Sequence, residues 1–329
     1  MASISKHHLG KASFVMILIE ALKKDGVNVQ ALRNKCALKY FRLNDPEAML
    51  PIPVIYEFFE LVENTQGIDK MGVKFQKYFT LDNIGVYGQL LSNSKKVLPA
   101  ILFAQKYEKF SFTHDSHEFK ILDGTTAFYG NRYITKPSKG QDFLSKLDHG
   151  IILELAKNSN VEGWCPKEIH VIGDDASYVE NMFPFSNPKI LLNQEKYGLV
   201  FNTKMLSNKI LSDKKISAIQ GDINPIPDSL SAKIELLLDN LTTKNLPIIE
   251  EISNMFNISV SSLKRKLQEE DMSFSKLLER WRFMKAVELL SNTNLKIKEI
   301  SDQLFYSNPS NFVRAFRSST GFSPNSLRT

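Results

Sequence analysis

The chain has 329 residues, a formal net charge of +6, and a composition that is 43% hydrophobic and 24% charged. This composition is typical of a well-cored globular protein, and the length predicts two or three domains; the charge is compatible with an anionic partner without requiring one. Two isolated cysteines, Cys36 and Cys165, indicate a reduced protein, and the apolar run Phe14–Ile19 is too short for a membrane span or most signal peptides. We therefore expect a cytoplasmic protein without a membrane segment.

Helical patterns begin near the N-terminus. Apolar residues recur at intervals of three and four between Phe14 and Leu22, and Gly26 ends that run. Similar spacing predicts helices around residues 55–62 and 98–107, and a further helix at 143–156.

Strand patterns occur in the same region. Two runs of strand-forming residues, His117–Leu122 and Thr125–Tyr133, flank the favoured turn pair Asp123-Gly124 and predict a β-hairpin. Strands are also predicted at 168–172 and 198–203. We therefore expect residues 1–205 to form an α+β domain.

Residues 206–229 differ in character from the sequence on either side. They contain polar groups and the turn-rich stretch Asn224–Asp228, which includes two prolines and cannot continue a helix. We interpret this segment as a linker between domain 1–205 and a C-terminal domain 230–329. The C-terminal domain is predicted to begin with a helix, Leu230–Leu241.

The C-terminal domain contains a short internal repeat. Ile249–Ser253 reads Ile-Glu-Glu-Ile-Ser, and Ile297–Ser301 reads Ile-Lys-Glu-Ile-Ser. Each is followed by apolar and arginine residues at similar spacing, although the second copy has one extra residue after its Ser. Each copy predicts a helix, a short turn and a second helix, and a repeat of this kind constrains the architecture.

The residues at the two turns support this interpretation. Asn257 lies where the chain must reverse, and Asn tolerates a left-handed backbone. Ser259 is predicted to be the N-cap of the helix that follows. In the second copy Ser307 is predicted to take the same role, with Pro309 in the first helical turn, where its missing N–H is harmless.

A long amphipathic helix is predicted between the copies, with Ser273 as its N-cap. Its apolar residues, spaced by three or four and expected to share one face, are Phe274, Leu277, Leu278, Trp281, Met284, Val287 and Leu290. Such a helix would join the two helix-turn-helix units into an all-α DNA-binding domain.

The second helix of a helix-turn-helix enters the major groove, and two joined units could occupy successive grooves of a DNA duplex. Arginine suits guanine, asparagine suits adenine, and serine can contact a base or a phosphate. The candidate DNA-binding residues are Ser261, Ser262, Lys264 and Arg265 in the first copy, and Ser310, Asn311, Arg314 and Arg317 in the second.

At these residues the segment Ile249–Arg328 resembles the DNA-binding domain of AraC/XylS-type transcription regulators. The matching motifs are Arg282-x-x-Lys285-Ala286, Ile297-x-x-Ile300, Ser310-x-Phe312-x-Arg314-x-Phe316, and Gly321-Phe322-Ser323-Pro324 followed by Arg328. The family usually has Gly-Phe where this chain has Phe305-Tyr306. Because Phe avoids a positive φ, the second turn is expected to be tightened in a different way.

The N-terminal domain resembles the effector and dimerisation domain of regulators related to ornithine-utilisation regulators. The matching features include Asp45-Pro46 and Gly85-x-x-Gly88-x-Leu90-Leu91. The two resemblances together imply a transcription regulator, expected to be an activator, that binds a double-stranded DNA operator. They also imply a small organic effector or a second copy of the chain as partner of the N-terminal domain, with RNA polymerase as a further contact.

Other readings remain open. Hydrophobic spacing alone also fits a purely structural helical bundle. The N-terminal domain could serve only for dimerisation in a constitutive regulator, or could be a small-molecule enzyme fused to the DNA-binding domain. The sequence contains no nucleophile elbow, phosphate-binding glycine loop or zinc-protease helix, and the pair His114 and His117 lacks further ligands at known spacing. We therefore predict no catalytic residue, metal or cofactor, and no enzyme activity.

Overall fold

The fold is described from a computed structural model. The structure describes residues 7–66, 78–107, 116–132, 150–159, 164–174, 176, 187–211, 226–242 and 246–327. The chain divides into two compact units, Met1–Ile226 and Pro227–Thr329, so the division lies within the predicted linker 206–229. The limits of that linker stay predictions. Parts of the predicted helix 143–156, as well as His114, Tyr133 and Arg328, lie outside the described residues.

The N-terminal unit begins with a short sheet and several helices. Strands β1 (Leu9–Lys11) and β2 (Met49–Pro51) pair antiparallel. The helices are α1 (Ala12–Lys24), α2 (Val29–Arg33), α3 (Ile52–Gln66), α4 (Gly85–Ser92) and α5 (Val97–Tyr107). The predicted apolar face of α1 is buried, and α3 buries Phe58 and Phe59 completely. Residues 150–158 are also helical.

A five-stranded sheet forms the rest of this unit, in the order β3-β4-β7-β5-β6. Its strands are β3 (Ser116–Ile121), β4 (Thr126–Arg132), β5 (Glu168–His170), β6 (Lys189–Leu191) and β7 (Tyr197–Asn202). Among the described strand pairs of this sheet, β5 and β6 are parallel, and the other three pairs are antiparallel. The mixture of helices and mainly antiparallel strands confirms the predicted α+β class.

The predicted hairpin is present, and its turn is held by Asp123. The Oδ1 atom of Asp123 accepts hydrogen bonds from the backbone N–H groups of Thr125 at 2.9 Å and Thr126 at 2.7 Å. The bonds from Thr126 and Thr125 lower the pKa of Asp123 well below its usual range. Gly124 adopts a φ of +74°, so the Asp-Gly pair supplies both the acceptor and the left-handed residue that the turn requires.

Glu47 joins three parts of the N-terminal unit. One carboxylate oxygen accepts a hydrogen bond of 2.8 Å from the backbone N–H of Val86 at the start of α4, and the other pairs with the buried ammonium group of Lys11. Gly85 has a φ of +70°, and a Cβ there would lie 1.9 Å from the same carboxylate. Gly85 is therefore required both by its backbone conformation and by the close approach of Glu47.

The C-terminal unit consists of helices. They are α6 (Leu230–Asp239), α7 (Ile249–Met255), α8 (Val260–Glu269), α9 (Phe274–Asn292), α10 (Ile297–Gln303) and α11 (Pro309–Thr320). A short 3₁₀ helix, Pro324–Leu327, follows. The unit confirms the predicted all-α domain with two helix-turn-helix units and a long helix between them. Within the described ranges, none of the helices has the length and apolar character that a membrane crossing requires.

The prediction that α9 uses a single apolar face is wrong. Its first half buries Leu277 and Trp281, and its second half buries Ala286, Leu289 and Leu290. At 100° per residue these two groups point in directions that differ by roughly 150° around the helix axis. The residues of the first half lie on the side of α9 that contacts α6. Those of the second half belong to the apolar cluster of the second helix-turn-helix. Met284 continues the first face but is 61% exposed.

We predict that Glu47→Ala lowers the free energy of unfolding of the N-terminal unit by about 3–5 kcal/mol, because it leaves the Lys11 ammonium group buried without a counter-ion. The chain has two tryptophans, and Trp281→Phe leaves Trp164 as a fluorescent reporter of this unit in urea unfolding. The control is Glu20→Ala, which removes an exposed ion pair with Lys24 and should cost less than about 1 kcal/mol. Equal losses in the two variants would contradict the role given to Glu47.

Candidate nucleic-acid interface

The first turn, between α7 and α8, has the predicted chemistry. Asn257 adopts the left-handed conformation with a φ of +53°. The hydroxyl of Ser259 accepts a hydrogen bond of 3.1 Å from the backbone N–H of Ser262, so Ser259 is the N-cap of α8. Both predictions for this turn are confirmed.

The second turn is capped by a different residue from the one predicted. Asn308, not Ser307, is the N-cap of α11, and its Oδ1 accepts a hydrogen bond of 2.9 Å from the backbone N–H of Asn311. Because Pro309 occupies the first helical position, the residue immediately before it becomes the cap. Ser307 instead accepts a bond of 2.7 Å from the Asn311 side chain. The extra residue of the second copy therefore lies between the turn and the cap.

The expectation that the second turn would avoid a positive φ is also wrong. Phe305 adopts a φ of +59°, close to the value at Asn257 in the first turn. Its ring lies 6.1 Å from the ring of Trp281, and Arg282 donates hydrogen bonds to the carbonyls of Leu304 and Phe305. The family motif around Arg282 was visible in the sequence, but its contact with this turn was not.

The two caps place the candidate recognition helices, α8 and α11, in a common register. Leu263 and Phe312 lie four residues after their caps, Leu267 and Phe316 lie eight after, and all four are buried. The candidate residues at matching positions are Ser261 with Ser310, Ser262 with Asn311, and Arg265 with Arg314. In the same register Lys264 matches Val313, and Arg317 matches Gln268. Neither of these two basic residues therefore has a basic counterpart on the other helix.

Most of these candidate side chains are available to a partner. Ser262 and Asn311 are half-buried, and the exposed ones are Ser261, Lys264, Arg265, Ser310, Arg314 and Arg317. Buried apolar residues hold each helix from one side, so the polar residues face away from the core. Their roles in binding stay predictions.

The two matching arginines have local partners. Arg265 forms an ion pair of 2.8 Å with Glu269 one turn later, and both side chains are more than half exposed. Arg314 donates a bond of 2.7 Å to the Oδ1 atom of Asn311. Exposed contacts of this kind between neighbouring helical turns contribute about 0.2–0.5 kcal/mol, so either arginine can exchange its partner for a nucleic-acid acceptor at low cost.

A family model described as a helix-turn-helix domain matches residues 252–329. The C-terminal domain is an AraC-type helix-turn-helix domain. The match begins within α7 and extends through α11, so the AraC-type domain includes both turns, both caps and all eight candidate DNA-binding residues.

Similar proteins include two curated bacterial relatives. The HTH-type transcriptional activator CsvR of Escherichia coli is 33% identical over 121 residues, which cover 36% of this chain and 43% of CsvR. The HTH-type transcriptional regulator VqsM of Pseudomonas aeruginosa is 29% identical over 99 residues, which cover 30% of each chain. This chain therefore spans less than half the length of the curated relatives it matches.

A solved structure also aligns with this one. The transcriptional regulator CdpR from Pseudomonas aeruginosa aligns over 95% of this chain and 96% of its own, with a TM-score of 0.44 and 16% sequence identity. The resemblance of the N-terminal domain to ornithine-utilisation regulators stays a prediction.

The cap of α11 gives a direct test of the second turn. We expect Asn308→Ala to lower the free energy of unfolding of the AraC-type domain by about 1 kcal/mol, because a backbone N–H at the helix start loses its acceptor. Ser307→Ala is the matched control and should cost less than about 0.5 kcal/mol. Urea unfolding followed by Trp281 fluorescence in a Trp164→Phe background measures both. A larger loss in the Ser307 variant would assign the cap to Ser307.

Proposed function

We propose that this protein is a sequence-specific transcription regulator that binds double-stranded DNA through α8 and α11. One observation carries the proposal: counted from its N-cap, each of these helices presents polar residues at positions two and three and an arginine at position six. Two helices with the same pattern of polar residues on one small domain suit binding in two successive major grooves of a duplex.

The chemistry of the candidate residues fits a duplex. Arg265 and Arg314 are assigned to base edges, since a guanidinium group can bond a guanine through two N–H groups. Asn311 suits adenine: its Oδ1 accepts one bond from Arg314 and its Nδ2 donates one to Ser307, and each amide atom can form a second bond, to a base. Lys264 and Arg317, which have no counterpart in the other helix, are assigned to phosphates, where they would add affinity without sequence preference.

We further propose that the protein acts as an activator and responds to a small organic effector held by the N-terminal α+β unit. The name of CsvR, a transcriptional activator, supports activation. The effector, a homodimer and a contact with RNA polymerase rest on the resemblance of the sequence to this class of regulators. Operator binding places the protein in the compartment that holds the DNA, which is the cytoplasm in bacteria such as those of the relatives.

We expect the full-length protein to protect about 17–20 base pairs of its operator. The reason is that two recognition helices on one domain, α8 and α11, would contact major grooves about 34–36 Å apart on one face of the duplex. Operators can be selected from genomic fragments and footprinted with hydroxyl radicals. Protection confined to a single groove would contradict binding by both helices.

The two arginines should act on different halves of the operator. Arg265→Ala and Arg314→Ala are each expected to cost about 1–3 kcal/mol of binding free energy and to relax base preference in one half only. The measurement is affinity for operators mutated in each half, at several salt concentrations. An arginine that contacts only phosphate would instead weaken binding to all sequences and reduce the salt slope by about one.

Arg280→Ala is the control, because this exposed cation of the same domain pairs with Glu235 at 2.7 Å and lies outside both recognition helices. It should leave base preference in both halves unchanged. If both recognition-helix variants keep wild-type affinity, Arg265 and Arg314 do not belong to the interface.

A further inference from the structure

The two turns of the AraC-type domain need the same unusual backbone conformation but have different residues in it. Asn257 provides it in the first turn with a φ of +53°, and Phe305 provides it in the second with a φ of +59°. Asparagine adopts this region readily, whereas the β-carbon and ring of a phenylalanine disfavour it. The second turn therefore depends on interactions from outside the turn to a degree that the first does not.

Arg282 supplies such an interaction from the middle of α9. Its Nε donates to the carbonyl oxygen of Leu304 and its Nη2 to that of Phe305, both at 3.0 Å. These two carbonyls belong to the peptide planes on either side of the Phe305 Cα atom, and the φ and ψ torsions of Phe305 set the relative orientation of those planes. Because the guanidinium group is rigid and planar, bonding to both oxygens fixes the conformation of Phe305.

The same guanidinium group also contacts the next residue of the turn. Its carbon atom lies 4.5 Å from the centre of the Tyr306 ring, within the range of a cation–π contact. The Tyr306 ring lies 5.6 Å from the ring of Phe312 in α11, and Phe312 is buried against the second half of α9. A continuous set of contacts therefore runs from Arg282 through the turn to the second recognition helix.

We propose that Arg282 is a positioning residue that sets the direction of α11 and thereby determines base selection in the second half of the operator. Arg282 acts through the backbone of Phe305 and the ring of Tyr306, and touches no base itself. This inference rests on the proposed function, because it presumes that α11 reads bases. The proposal assigns sequence preference in one half of the operator to a side chain on α9, outside both recognition helices.

The test uses full-length protein and three operators: the intact one, one scrambled in the half assigned to Arg265, and one scrambled in the half assigned to Arg314. Arg282→Lys keeps the charge but cannot bond both carbonyls with a planar fork. We expect it to bind the intact operator about tenfold more weakly than wild type, the effect of losing one to two net hydrogen bonds. It should also lose discrimination against the operator scrambled in the Arg314 half, while still discriminating against the other scrambled operator.

A second substitution separates positioning from general stabilisation. Phe305→Asn gives the second turn the residue type found in the first, so the left-handed conformation no longer needs Arg282. The double variant Arg282→Lys, Phe305→Asn should recover discrimination in the Arg314 half to within about threefold of Phe305→Asn alone. Arg280→Lys, two residues away on the same helix and paired with Glu235, is the matched control and should keep wild-type discrimination in both halves.

Three results would overturn the inference. One is wild-type discrimination in Arg282→Lys, another is equal loss in both halves, and the third is a loss of folding by circular dichroism that Phe305→Asn does not repair. A wild-type protein that selects no operator would instead refute the proposed function, so the two failures are distinguishable.

Discussion

The packing of Phe312 and Phe316 against Leu289 and Leu290 holds the second recognition helix on the long helix α9. Replacing a buried phenylalanine by alanine typically costs about 3–5 kcal/mol, whereas an N-cap contributes about 1 kcal/mol and an exposed ion pair less. The apolar contacts therefore decide where the helix lies, and the cap decides where it begins. The arginines on the exposed side contribute so little to folding that they are free to bind a partner.

This constraint explains why α9 buries two faces. A helix of 19 residues can pack against helices on two sides only if its apolar residues turn around the axis between its first and second halves. The first half contacts α6, where the Trp281 indole donates a 3.0 Å bond to Asp239. The second half contacts α10 and α11. A single apolar stripe would leave one of these sets of helices without a partner.

In the N-terminal unit, the motifs that carry the family resemblance have structural roles. Glu47, directly after Asp45-Pro46, accepts the N–H of Val86 and pairs with Lys11. Gly85 leaves the space that the Glu47 carboxylate occupies. These residues hold β1 and α4 together, so they stabilise the local structure and do not identify where an effector would bind.

The sequence by itself determined the features that depend on short-range interactions. Helical spacing predicted the helices of the C-terminal domain, Ser259 was recognised as a cap, and Asp123-Gly124 located the hairpin, because the atoms involved lie within four residues of one another. The eight candidate DNA-binding residues could be named for the same reason, since the side of a short helix that faces away from its buried residues follows from the helical period.

Only the tertiary structure decided the rest. The left-handed Phe305 depends on Arg282, 23 residues earlier in the chain, and no local propensity could have predicted it. The exposure of Met284 likewise depends on where α6 lies along α9. In each case a contact between distant residues, or a backbone state that such a contact stabilises, outweighed the preference of the residue itself.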